Sequence, residues 1–233
     1  MRASFIAPVP KTHYNQSMKT PLPPVPKGLT LFVLAFMSLT TIAALNQGNN
    51  EFLFYSGSLL VIIYILVEIH RRIRFTNTTL WLLTIWGFLH MIGGTVPISP
   101  EFVPGDGSAV LYSFRLRPDL PRYDQIIHAF GFFSATVACW EIVRASLNAK
   151  QGLALSIIAA LMGMGLGAFN EVLEFIATRL TETNVGGYVN TGWDLVSNTI
   201  GTTCAGIWCL SRQTHPHNTL TPNDPIKVPP NKP

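Results

Sequence analysis

The chain has 233 residues, of which 12% are charged and 48% hydrophobic, with a mean hydropathy of +0.32. Soluble domains run near about 25% charged residues, so an ordinary soluble fold is excluded. The net charge of +4 would suit nucleic acid in a soluble domain. Here the basic residues punctuate apolar stretches, as loop charges do in membrane proteins, and no nucleic-acid partner is expected.

Residues 1–27 carry six prolines and four basic residues, the composition of a disordered, extended cytoplasmic tail. Uncharged stretches then run from Gly28 to Asn50, Phe52 to Val67, Phe75 to Pro100 and Gln151 to Asn170, each near or above the ~20 residues that cross a bilayer as a helix. The chain therefore reads as an all-α, polytopic integral membrane protein embedded in the lipid bilayer. Six transmembrane helices account for the pattern over residues 28–211: Gly28 to Gln47, Glu51 to His70, Asn77 to Val96, Arg122 to Arg144, Gly152 to Ala177 and Thr191 to Ser211. The fourth and sixth are the weakest by hydropathy, because both open on ionisable residues: Asp124 and His128 in one, Asp194 in the other. They are kept because several such groups gathered in a bundle interior can pair with one another. Residues 212–233 form a second Pro- and Asn-rich tail, in which His215 and His217 read as solvated. Cys139, Cys204 and Cys209 fall inside apolar segments and read as small core residues, not as a disulfide framework.

With the N-terminus inside, twelve of the 16 Lys and Arg residues fall on the cytoplasmic side and four (Arg115, Arg117, Arg122 and Arg179) on the other. Both termini are therefore expected in the cytoplasm. In that orientation His90 lies about 9 Å below the outer boundary of the third helix at about 1.5 Å per residue. Asp124 and His128, four apart, share one face of the fourth helix in its first two turns. Asn170, Glu171 and Glu174 fall in the outer half of the fifth, and Asp194 and Asn198 in the first turns of the sixth.

Four helices thus put their intramembrane polar residues at one depth. His, Asp and Glu at one level supply ligands for a divalent transition metal such as zinc, iron or manganese, and equally supply a proton relay. The ligand assignment falls on His90, Asp124, His128 and Asp194, with Glu174 as general base and Glu171 beside it. Structural readings stand next to these. Asp124, Asp194 and Glu174 suit hydrated carboxylates near helix ends; His90 suits an interhelical hydrogen bond; His128 and Glu171 suit a buried structural pair. Glu141, three residues before Arg144, reads as an i,i+3 ion pair, and Glu68 and His70 read as interface residues beside Arg71 and Arg72. The connection from Pro97 to Pro121, rich in Pro and Gly, suits a lid over the cluster.

The blocks His90-Met-Ile-Gly-Gly, Arg122-Tyr-Asp-Gln-Ile-Ile-His-Ala-Phe-Gly131 and Glu171-Val-Leu-Glu-Phe175 resemble, in order, those of the YjdF-type bacterial inner-membrane family, over about residues 75–207. The block Trp193-Asp-Leu-Val-Ser-Asn-Thr-Ile-Gly201 resembles both that family and the VanZ-like membrane proteins. The YjdF-type pattern has a second Asp four residues after the first in this block, where this chain has Asn198. The resemblance implies a multi-helix inner-membrane protein. Its VanZ-like part implies the cell envelope, through the association of those proteins with teicoplanin resistance, and neither part implies a reaction. Three functions stay open: a metal-dependent enzyme on a lipid or lipid-linked envelope substrate, a proton-coupled transporter, and a non-catalytic accessory protein.

Overall fold

The computed structural model describes residues 24–103, 109–117, 119–180 and 187–212. The tails expected over 1–27 and 212–233 lie outside the described residues up to position 23 and from position 213. Among the described residues the structure is helical: α1 (Leu29–Gln47), α2 (Asn50–Ile73), α3 (Asn77–Thr95), α4 (Tyr123–Leu147), α5 (Leu153–Leu180) and α6 (Tyr188–Ser211). Four of the six, α1, α2, α4 and most of α5, are long and apolar enough to cross a membrane. The fourth helix meets that measure despite Asp124 and His128. The third does not, because Thr, Trp, His and Gly dilute its aliphatic residues.

The connections show why the helices alternate. Gly48, in the left-handed conformation (φ 63°), lets the Asn49 N–H reach the Ala44 carbonyl at 2.9 Å and close the end of α1, a turn that disfavours a side chain. Asn49 then accepts from the Phe52 N–H to cap α2, and its amide donates to the Gly94 carbonyl at 3.2 Å while Gln47 donates to Thr95 at 2.8 Å. The end of α1, the start of α2 and the end of α3 are thereby tied together. At the opposite end Glu141 of α4 accepts from the Thr76 N–H at 2.9 Å and from the Thr76 and Thr79 hydroxyls at 2.6 Å each, so a carboxylate of one helix caps the next. The expected Glu141–Arg144 pair is therefore corrected, and the Arg144 guanidinium lies over the Trp140 ring at 5.2 Å. His70 is likewise buried, its ring stacked on Phe75 at 6.1 Å, and is no wet interface residue.

Two apolar cores divide the molecule. One joins Phe36, Met37, Ala44, Phe52, Leu59 and Met91 of α1–α3; the other joins Val137, Trp140, Leu155, Ala159, Ala205 and Cys209 of α4–α6. The second core fills the half of α4–α6 that holds the end of α4, the start of α5 and the end of α6, leaving the other half for polar residues. There α4 and α6 approach so closely that a Cβ at Gly201 would strike the Ala129 carbonyl, as small residues permit between membrane helices. The connection before α4 folds back on itself, with Pro97 and Val110 forming an antiparallel bridge and the Leu111 N–H donating to Val96 at 2.9 Å. Positions 104–108 and 118 of the expected lid lie outside the described residues.

Candidate functional site

Three helices build the cluster. His128 stands one turn after Asp124 on α4, Glu171 and Glu174 share a face of α5, and Asp194 and Asn198 share a face of α6, each by i,i+3 or i,i+4 spacing. One ligand-type atom from each of His128, Glu171, Glu174 and Asp194 fits within 4.8 Å of the others. His128 Nε2 lies 3.5 Å from Asp124 Oδ1 and 3.9 Å from Glu174 Oε1, and its Nδ1 lies 3.5 Å from Glu171 Oε1. The side chains of Glu171 and His128 are 5% and 12% exposed, those of Glu174 and Asp124 19% and 21%. The cluster is therefore closed on the Glu171 side and open on the Glu174 and Asp124 side.

Asn198 orders the closed side. Its amide nitrogen donates to Glu171 Oε1 at 3.2 Å, which leaves its oxygen to accept from His128 Nδ1 at 3.1 Å. That arrangement places the imidazole proton on Nδ1 and turns the Nε2 lone pair toward Asp124 and Glu174. An outer carbonyl fixing a histidine in this way is the usual support of a metal ligand. Gly167 of α5 makes room for it: a Cβ there would sit 3.1 Å from Asn198. Asn170 donates to Glu174 Oε1 at 2.6 Å, and Asn190 donates to Asp194 Oδ2.

Two carboxylate oxygens are left over. Glu171 Oε2 and Asp194 Oδ1 are buried with no hydrogen-bond partner among the described residues, in side chains belonging to residues 4% and 0% exposed. A buried polar atom without a partner costs about 1–3 kcal/mol, and carboxylates crowded around one imidazole disfavour one another's ionised forms. A divalent cation answers both. Ligands at about 2.1 Å from a tetrahedral ion lie about 3.4 Å apart, so the 4.8 Å spread needs the group to draw in by more than about an ångström around an ion.

His90 is not brought into this group. Its ring is surrounded by Tyr55, Trp86, Tyr112 and Phe52 at centroid distances of 5.4, 5.6, 5.7 and 6.1 Å, and its Nδ1 is hydrogen-bonded to the Tyr112 hydroxyl. Burial, with the Asp124 carboxylate second, raises the Tyr112 pKa well above its ordinary value, so that hydroxyl stays protonated and donates to His90. Asp124 touches His128 but stands outside the tight group of four. Asp194 is also differently placed than a helix-end carboxylate: α6 starts at Tyr188, so Asp194 lies in its second turn and is fully buried. Sequence reasoning missed Asn190, which an expected helix start at Thr191 left in a loop, and Tyr112. The four-residue spacing from Asn190 to Asp194 was the available signal for the first.

The model of a family described as predicted membrane protein (DUF2238) matches residues 28–215. The chain belongs to that family. The DUF2238 match takes in all six helices and every member of the cluster, and the YjdF-type likeness of the sequence blocks is a likeness to this family. No curated protein and no solved structure matches the chain.

Proposed function

We propose that the protein is a metal-dependent enzyme of the bacterial inner membrane, acting on a lipid or lipid-linked envelope substrate from the outer leaflet. The observation that carries this reading is the pair of buried, partnerless carboxylate oxygens, Glu171 Oε2 and Asp194 Oδ1, within a four-residue group that also holds a histidine oriented by Asn198. His128, Glu171 and Asp194 would hold a zinc-like divalent ion, a three-residue ligand set of the kind catalytic sites use. Glu171 moves from the catalytic pair to the ligand set because its free oxygen is buried. Glu174, more exposed and steadied by Asn170, would act as the base, taking a proton from the attacking water and passing it to the leaving oxygen, while a bound ion would supply the Lewis acid that polarises the ester or phosphoryl centre.

On an arrangement of six crossings with both termini inside, the cluster would lie in the outer leaflet. The gathering of Arg71, Arg72 and Arg74 with Arg144 and Lys150 at one end of the helices, and of Arg115, Arg117 and Arg122 at the other, supports that orientation. The envelope assignment draws on the VanZ-like final block. The test is metal analysis of protein purified in mild detergent and supplemented with zinc. About one ion per chain is expected in wild type, and none in a Glu171→Gln, Glu174→Gln double variant that retains its Tm. A metal-free wild type would refute the reading. A double variant that still complements a deletion phenotype would leave only the accessory role.

A further inference from the structure

The two halves of the molecule meet through α4, and on one side they leave a gap. Helix α4 packs against α3, α5 and α6 and touches α2, whereas α2 and α5, which border it on that side, are not packed on each other among the described residues. The apolar cores agree: among the described residues none of α5 joins the core of α1–α3, and none of α2 joins that of α4–α6. Polar groups nevertheless face one another across the gap. Tyr55 of α2, half-buried, lies within electrostatic reach of Glu174 of α5 and Asp124 of α4, the two carboxylates on the open side of the cluster. On the α6 side Asp194 and Asn198 are buried and Gly201 backs onto the Ala129 carbonyl. Over α3 and α4 the connection is tied down, with the Tyr123 N–H donating to the Phe114 carbonyl at 2.9 Å and the Tyr123 hydroxyl to the Leu89 carbonyl at 3.0 Å.

Below the polar groups the gap is walled by apolar residues. Ile62 follows Tyr55 on the same face of α2, and Leu166 precedes Glu174 on the side of α5 turned away from Glu171; both are exposed. Because α2 leads away from the cluster and α5 leads toward it, at about 1.5 Å per residue both lie about 10–12 Å further along, at nearly one level. A polar site continued by an open apolar groove matches an amphiphile better than a soluble metabolite. We propose that the cluster opens sideways into the bilayer between α2 and α5, and that the groove seats an acyl chain of a membrane lipid whose polar end lies at Glu174 and His128. The turnover of that lipid rests on the metal-enzyme reading and narrows its substrate to a molecule delivered from within the membrane; the opening itself stands without a metal.

The experiment uses the full chain in phosphatidylcholine vesicles before zinc is added, and reads by mass spectrometry the carbodiimide adduct on the Glu174 carboxyl. Dicyclohexylcarbodiimide, which partitions into the bilayer, is expected to label Glu174. A water-soluble carbodiimide bearing a quaternary ammonium, present on both sides of the membrane, is expected to spare it. Ile62→Trp and Leu166→Trp each fill the groove from one wall and should slow the labelling severalfold, and either suffices if the other fails to insert. Leu60→Trp, on another face of α2, should leave the rate unchanged. Labelling of Glu174 as fast by the water-soluble reagent, labelling by neither reagent, or a wild-type rate in the groove variants overturns the opening. Metal uptake separates the two readings. A zinc-free wild type whose Glu174 passes these tests refutes the enzyme and leaves the lipid seat, whereas a zinc-replete one whose Glu174 fails them refutes the seat alone.

Discussion

Replacing Asn198 separates a metal site from a packing device. Asn198→Leu keeps the branching and number of side-chain heavy atoms against Gly167 but removes both bonds of the bridge, the 3.2 Å donation to Glu171 and the 3.1 Å acceptance from His128. Side-chain hydrogen bonds inside a membrane protein are worth about 0.6 kcal/mol each, so the loss in stability should be about 1 kcal/mol, or about 2–4 °C in Tm for a chain of this size. The effect on a metal is larger, because His128 would lose the group that fixes its tautomer and Glu171 the one that aims it. Removing such an outer partner typically weakens affinity by about 10- to 100-fold. Competition of the purified variant against a chelator of known zinc affinity, alongside a thermal melt, reads both quantities. A variant whose zinc affinity matches wild type would refute the reasoning, since Asn198 would then hold helices together and nothing else.

His90→Phe should keep full zinc content while lowering Tm by a few degrees, because the bond to Tyr112 is lost and no ligand is; loss of zinc would return His90 to the ligand set. Reporter fusions after Arg74 and after Lys150 should both read as cytoplasmic, and a fusion between positions 104 and 108 as external. A periplasmic signal after either basic loop would break the orientation and with it the outer-leaflet location.

The depth of the polar groups was legible because helical spacing fixes rise and face together. His128, Glu171, Glu174 and Asp194 could be placed at one level from counting alone, and the structure brings them together. Spacing does not say which neighbour claims a residue. His90 has the right depth, but its Nδ1 is taken by Tyr112, which comes from a connection without periodicity. Glu141 shows the same limit: its sequence neighbour Arg144 suggested a local pair, whereas the bare N-terminus of α3, invisible from α4, is what it serves. Ionisable residues make the fourth helix the weaker by hydropathy in the sequence, yet it is long and apolar enough to cross a membrane.

The division of the helices into α1–α3 and α4–α6 has a consequence for how the chain enters its membrane. Every member of the tight group lies on α4, α5 or α6, and α6 is not apolar enough to cross by its own composition. On the six-crossing arrangement, Asn198 of α6 meets its partners His128 and Glu171 only after α4 and α5 are already in the bilayer. On that arrangement the last helix would enter as a guest of the two before it, its insertion and the closing of the site being one event. Any change that spoils the reception it finds there would surface first as a shortfall of inserted protein, ahead of any loss of chemistry.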